Sequence, residues 1–246
     1  MTLGGMMALL DSVSPFELQE AWDNSGLLIG AKEETFDEVV VALDMDEAML
    51  DELPEKSLVI THHPLIFGKL NRLDFSSYPA KYIRTMIKKN ISHIALHTNF
   101  DKTHLNRYVA EQVLGLGNVD VRDFVCYGEV EAESVETYAK KLETVFGLEG
   151  VRFTKANDRP IRKVALTTGA GASLLSSIEA DCFLTGDVKY HDAMEALALN
   201  INVIDITHYA SERFFSPILC EILNHNGIKA IIKNSKDPFT IMQETK

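Results

Sequence analysis

Short β-branched runs alternate along the chain with amphipathic stretches of helical period. Asp37 to Asp44 (DEVVVALD), Ser57 to Thr61, Ile91 to Leu96, Arg162 to Thr168, Ala180 to Leu184 and Ile201 to Ile206 are too short and too uniformly apolar for helices, and predict buried strands. Between them, helices are predicted over Asp46 to Leu53 (ended by Pro54), about Tyr78 to Asn90, and about Lys102 to Leu114 with Gly115 and Gly117 as stops. Further helices follow over Ser134 to Gly147, up to Leu199, and from THYASE to about His225. Ser14, Pro15 and Glu17 fit an N-cap, an N1 proline and the returning arm of a capping box, opening a first helix to about Trp22. Leu27 to Ile29 and Ile228 to Ile232 read as short strands, Val119 to Val130 as strand-like, and Pro238 to Met242 as a possible edge strand. Strand–helix alternation of this kind defines an α/β fold.

The pattern has an internal echo. VITHHP and HIALHTNFD close strands in the first half; CFLTGDVKYHD and VIDITHYASE close strands in the second. Two similar α/β lobes are expected, residues 1–124 and 125–246, joined by a hinge near Val119 to Glu133, with their strand ends facing a shared cleft that holds a dinuclear metal site.

Composition narrows the class. The chain has 246 residues, 46% of them hydrophobic, enough for a sizeable core. No apolar run approaches the roughly 20 residues of a membrane span. MTLGGMMALL lacks a basic leader and is followed by Asp11, so it is read as a soluble segment rather than a signal peptide. Cys126, Cys182 and Cys220 are odd in number and form no CxxC, which suits reduced thiols in a cytoplasmic protein. The net charge of −12 and the brevity of the basic runs, Lys88-Lys89 and Arg159 to Lys163, disfavour a nucleic-acid partner and leave a small molecule as the expected one.

Chemistry concentrates at the strand ends. Five of the eight histidines (His62, His63, His97, His191 and His208) lie there, with Asp101, Asp187, Asp192 and Glu212. In open α/β sheets, ligands gather at the carboxyl ends of strands. Pro64 favours extended geometry at His63, and successive extended residues point to opposite sides, so His62 and His63 are expected to serve two neighbouring ions rather than chelate one. His208 and Glu212, and likewise His97 and Asp101, are spaced to share one helical face. Imidazole and carboxylate without thiolate suit Zn²⁺, Mn²⁺, Fe²⁺, Co²⁺ or Ni²⁺. Two such ions against two carboxylates would leave the site positive and attract an anionic, phosphorylated substrate. Other residues read more simply. His93 is structural, His104 lies at the surface, and His225 sits at a helix end; Trp22 is read as a packing anchor rather than a stacking platform. Gly169-Ala170-Gly171 fits a tight strand-to-helix turn better than an anion cradle.

WDNSGLLIG, VITHHPLIF, HTNFD, TGDVKYHD and ITHYASE, in this order and spacing, resemble the NIF-three-like family, also called YbgI-type or GTP cyclohydrolase I type two, in its short version. The resemblance implies two divalent metal ions per chain and assembly as a homohexamer, a toroid of dimers. It places metal ligands at His62, His63, Asp101, His208 and Glu212, with Glu212 as the bridge, and His97 beside them as a further ligand or a partner. His191, alone where the family often has paired histidines, is left as a proton carrier. The implied activity is GTP cyclohydrolase: GTP and water give 7,8-dihydroneopterin triphosphate and formate. Fold and site alone leave two alternatives open: hydrolysis of another small phosphorylated or cyclic-amide substrate, and a non-catalytic metal-binding or metal-delivery protein.

Overall fold

The computed structural model describes residues 1–233, 235–240 and 242. The strands, in chain order, are β1 (Gly26–Ile29), β2 (Glu38–Ala42), β3 (Ser57–Thr61), β4 (Ser92–Ala95), β5 (Gly117–Arg122), β6 (Val125–Glu133), β7 (Arg152–Thr154), β8 (Ile161–Leu166), β9 (Cys182–Thr185), β10 (Asn202–Asp205) and β11 (Ala230–Ile232). They form two sheets, one ordered β1-β4-β3-β2-β11 and the other β5-β6-β8-β9-β10-β7. The fold is therefore mixed α/β with two sheets.

The chain divides into two compact units: Met1–Thr103 with Phe215–Lys236, and His104–Phe214 with the described residues from Asp237 on. The division differs from the expected one at residue 124. The predicted hinge is instead a hairpin, β5 antiparallel to β6 with Val121 opposite Cys126, and it lies inside the second unit. The chain also returns. Helix Phe215–His225 and strand β11 belong to the first unit, where β11 lies parallel to β2 with Ile231 beside Val40. Pairing of strands remote in sequence leaves no local mark on composition, which is why the linear pattern places the boundary wrongly.

In the first unit β2, β3, β4 and β11 run parallel and β1 is antiparallel at the edge. Every residue of β3 is buried, as expected of a parallel strand covered on both faces. Val40, Val59, Leu50, Ile83 and Met86 build one core layer with helices Glu47–Glu52 and Ala80–Lys88. In the second unit the parallel strands are β8, β9 and β10, and Tyr127, Ala165, Leu175, Phe183, Ala196 and Val203 form its core. Ser134 caps helix Val135–Phe146 by accepting the Thr137 N–H, and Gly147 closes it with φ +67°, both as the sequence predicts.

The N-terminus departs from expectation. The first helix is Leu3–Val13, capped by the Thr2 hydroxyl, with Leu3, Met6 and Leu10 buried along one face. Ser14 closes this helix, donating its N–H to Leu10 O at 2.8 Å, and Asp11 Oδ1 takes the Phe16 N–H at 2.9 Å. The predicted capping box never forms, and only a 3₁₀ turn, Phe16–Leu18, follows. Two consecutive glycines hide the helix in the sequence. Gly4 packs closely here: a Cβ there would lie 3.1 Å from the Lys32 carbonyl oxygen. The region predicted as an edge strand has none at Pro238 to Thr240 or Met242; Ile241 lies outside the described residues.

Burial holds all three cysteines as free thiols, and desolvation pushes Cys126 up to about 12. No helix among the described residues is long and apolar enough to cross a membrane.

His93, in the middle of β4, has the structural role expected of it. Its Nε2 lies 2.7 Å from Thr61 Oγ1, and that hydroxyl lies 2.6 Å from the His63 carbonyl. The hydroxyl has a single proton to give to His63 O, so it accepts from His93 Nε2–H. Burial alone pulls this imidazole down to about 3. A depressed histidine contributes its full stability above its unfolded value near 6.5, and loses it as pH falls and the unfolded chain takes up a proton that the folded chain refuses. Between about pH 6 and pH 4 the unfolding free energy should therefore fall by about 1.4 kcal/mol per pH unit from this residue. Urea titrations should show the slope flattened by that amount in His93→Gln, whatever its stability at neutral pH.

Candidate metal centre

The first unit assembles its polar cluster from the register of its parallel strands. Ala42 stands opposite Thr61, and Thr61 opposite Ala95. Counting on two residues, Asp44, His63 and His97 form a row just beyond the carboxyl ends, and His62 falls beside Leu96. Side chains connect along this row. His63 Nδ1 is 2.7 Å from Asp44 Oδ1, and His62 Nδ1 is 2.9 Å from the Leu96 carbonyl. Asp23, in the turn before β1, completes it at 2.8 Å from His97 Nδ1.

Each of these imidazoles thus gives its Nδ1 proton to an oxygen, and each keeps Nε2 for another purpose. Such a bond fixes the tautomer and orientation of a ring that ligates a metal and raises its basicity. One ligand atom from each of His62, His63 and His97 lies within 4.8 Å of the others. Asp101 joins them: its carboxylate is buried, and its Oδ1 makes no hydrogen bond and faces His62 Nε2 at 3.3 Å. Asp101 opens a π-helical turn (Asp101–Leu105) in a stretch that is helical over residues 98–113. Widened turns of this kind recur at functional sites.

The expected splay of His62 and His63 is not what the chain adopts. It bends at both residues instead of continuing extended, their N–H groups turning onto the Leu43 carbonyl. The rings come to the same side, centroids 5.0 Å apart, and His97 stands 5.1 Å from His62 and 5.4 Å from His63. The Thr61 hydroxyl bonded to His63 O holds this bend, and Pro64 follows it.

Asp23 is strongly perturbed. Burial pushes its carboxyl up, but the hydrogen bond and charge of His97, with further hydrogen bonds from Thr98 and the Asn24 N–H, hold it well below the usual carboxylate range. Its side chain is wholly buried against His97, so it remains an anion that keeps the ring oriented.

The second unit builds a smaller cluster by the same device. His208 Nδ1 is 2.7 Å from Asp187 Oδ2, and its Nε2 is 2.9 Å from Glu212 Oε2. The two residues share one face of helix His208–Glu212, as their spacing predicts. Burial would lower the His208 pKa, but a carboxylate on each ring nitrogen raises it to about 9. The ring therefore carries both protons near neutrality, and a cation at this position would take the place of the one on Nε2.

Local backbone conformations hold this cluster. Gly169 has φ +64°, and a Cβ there would lie 2.0 Å from Glu212 Oε1. Gly186 meets the His208 backbone nitrogen so closely that a Cβ would come within 2.5 Å. Thr207, just before His208, sits at φ 61°, ψ 152°, a region that costs a non-glycine residue about 1–3 kcal/mol. Hydrogen bonds from Thr207 N–H to Asp205 and from Ala210 N–H to the Thr207 hydroxyl hold it there. The Gly169-Ala170-Gly171 segment is a tight turn, as read from sequence. Its glycine N–H groups are spent on Ser211 Oγ and Thr185 Oγ1, so it is no anion cradle.

His191 lies apart from the ligand-bearing groups found among the described residues. It is exposed on helix Tyr190–Leu199, edge-on to Tyr190. Sequence reasoning gave no role to the residues that orient the histidines. Asp23 appears only within the WDNSGLLIG motif, Asp44 as the end of a strand, and Asp187 only as a strand-end carboxylate. For Asp44 a signal existed: it follows β2 by the interval at which His63 follows β3, so parallel pairing sets them side by side.

These features define a class: a two-sheet α/β protein whose strand ends carry imidazole–carboxylate groups able to hold a divalent metal. The Duf34/NIF3 (NGG1p interacting factor 3) family pattern matches residues 1–238, and the chain belongs to that family. A Campylobacter jejuni protein named GTP cyclohydrolase 1 type 2 homolog is 42% identical over 240 residues, 97% of this chain and 99% of its own length. A Helicobacter pylori protein named GTP cyclohydrolase 1 type 2 is 40% identical, over 96% of this chain and 98% of its own. Among solved structures, a Staphylococcus aureus hypothetical protein superposes with a TM-score of 0.87 at 28% identity, covering 98% of this chain and 99% of that one.

The contact at Gly169 is a test of how this cluster is built. Gly169→Ala should destabilise the protein by about 1–3 kcal/mol and move the Glu212 carboxylate. Gly150→Ala, where nothing lies within 4 Å, should leave the urea midpoint unchanged.

Proposed function

We propose that this protein is a metal-dependent hydrolase of a nucleotide, with GTP as substrate and 7,8-dihydroneopterin triphosphate and formate as products. The observation that carries this reading is the shared orientation of four imidazoles. His62, His63, His97 and His208 each spend Nδ1 on an oxygen, which is the preparation that metal-ligating histidines receive. In this reading His62, His63 and Asp101 in the first unit, and His208 and Glu212 in the second, would be the metal ligands, with two divalent ions per chain. The donor set fits the borderline ions from Mn²⁺ to Zn²⁺ and contains no thiolate. When bound, such ions make water a nucleophile at neutral pH and stabilise developing negative charge. The names of the Campylobacter and Helicobacter relatives support the choice of GTP.

The chain's own residues supply orientation and proton transfer. Asp23 stays ionised and holds His97 through Nδ1, so His97 Nε2 faces the cluster as a base. We assign proton transfer to His97 ahead of the exposed His191. Asp44 and Asp187 set the rings of His63 and His208 in the same way. A toroidal homohexamer acting in the cytoplasm completes the proposal.

Protein reconstituted with Mn²⁺, Fe²⁺, Co²⁺, Ni²⁺ or Zn²⁺ should release formate from GTP, and His62→Ala should lower that rate by about 100-fold or more while losing bound metal. A full complement of metal with no turnover under any of these ions would instead mark a metal-binding or metal-delivery protein. Asp44→Asn should weaken metal binding by about 10–100-fold in a chelator competition. Its unfolding midpoint should stay near wild type, because the Asp44 side chain is 46% exposed.

A further inference from the structure

Two large aromatic side chains stand exposed beside the histidine cluster of the first unit. Trp22 is 58% exposed and Phe67 53%. Their ring centroids are 5.8 Å apart, and each makes a T-shaped contact with His97, at 6.1 Å for Trp22 and 6.0 Å for Phe67. The reading of Trp22 as a packing anchor therefore fails: more than half of the residue is open to solvent.

The exposure is built into the fold. Burying a large apolar side chain is worth about 1.5–3 kcal/mol, and a residue free to move would recover part of that by folding down. These residues are held. Asn24 Nδ2 donates to the Ile66 carbonyl at 2.6 Å, tying the turn that carries Trp22 to the segment that carries Phe67. The same turn is tied to the strand end below it, Asp23 taking the Thr98 N–H at 3.1 Å and Ser25 Oγ the His97 N–H at 3.0 Å. One four-residue turn thus buries Asp23 under His97 and holds Trp22 up beside it. A small-molecule site has this composition: an apolar, aromatic wall with a few convergent polar groups at one end.

We propose that Trp22 and Phe67 form the seat for the planar heterocycle of the substrate, stacking its ring so that the atom to be attacked lies over His97 and the neighbouring imidazoles. The proposal rests on the hydrolase reading for the identity of the ring, a purine, but not for its existence. Stacking recognises a flat π-face and tolerates ring identity, so phosphate contacts would add affinity without replacing the seat.

The chain contains a single tryptophan, Trp22, so its fluorescence reports on the seat directly. Titration of the metal-loaded full-length protein with GTP should quench that emission, and tripolyphosphate, which has no ring, should not. By calorimetry, Trp22→Ala and Phe67→Ala should each weaken GTP by about 10-fold, with Trp22→Phe recovering most of the loss and tripolyphosphate affinity unchanged in all three. Quenching by a pterin or a pyridine nucleotide but not by GTP would sustain the seat and overturn the GTP assignment. Equal quenching by GTP and tripolyphosphate would overturn the seat. So would unchanged GTP affinity in the double alanine variant, above all if that variant changed its sedimentation coefficient, since the aromatic pair would then serve contact between copies of the chain.

Discussion

The first unit's site depends on the parallel register of β2, β3 and β4. Because Ala42, Thr61 and Ala95 stand abreast, Asp44, His63 and His97 emerge abreast two residues later. A slip of one residue would turn the side chains to the opposite face. Register here is fixed by burial: every residue of β3 and β4 is buried, so the apolar fit of the sheet sets the position of a charged row it does not touch. The bend at His62-His63 adds the final adjustment, and Thr61, bonded to His63 O and backed by His93, holds it.

The second unit reaches a similar result by a different means. Its parallel strands also align the ends, yet His208 and Glu212 are set by backbone conformations that most residues avoid: Gly169 at φ +64°, Asp187 at φ +54° and Thr207 at φ 61°. Here the fold spends local stability to bring a carboxylate, an imidazole and a second carboxylate into line. Such strain persists only where surrounding bonds over-determine it, and the Thr207 turn has those bonds.

In both units, carboxylates or a carbonyl oxygen hold the imidazoles in place through Nδ1. The same turn that supplies one of them, Asp23, carries Trp22 on its outer side. Orientation of a histidine and exposure of an aromatic wall are therefore one structural decision, and a change in this turn should be felt in both.

The strand-ending motifs, the α/β alternation and the histidine-rich character of the site were legible in the sequence, because strand burial and helix capping are local and leave periodic traces. Helix Val135–Phe146, with Ser134 and Gly147 at its ends, is the clearest instance. Four things required the tertiary structure. The return of Phe215–His225 and β11 to the first unit depends on a pairing with β2 that spans most of the chain. The first helix is concealed by Gly4 and Gly5, the first of which packs closely against Lys32. The roles of Asp23, Asp44 and Asp187 exist only as distances between strand ends. The exposure of Trp22 follows from hydrogen bonds to Ile66 and Thr98, residues far along the chain. Residue type determines which chemistry is available; the register and turns that aim each nitrogen arise from packing between distant segments, which no local pattern records.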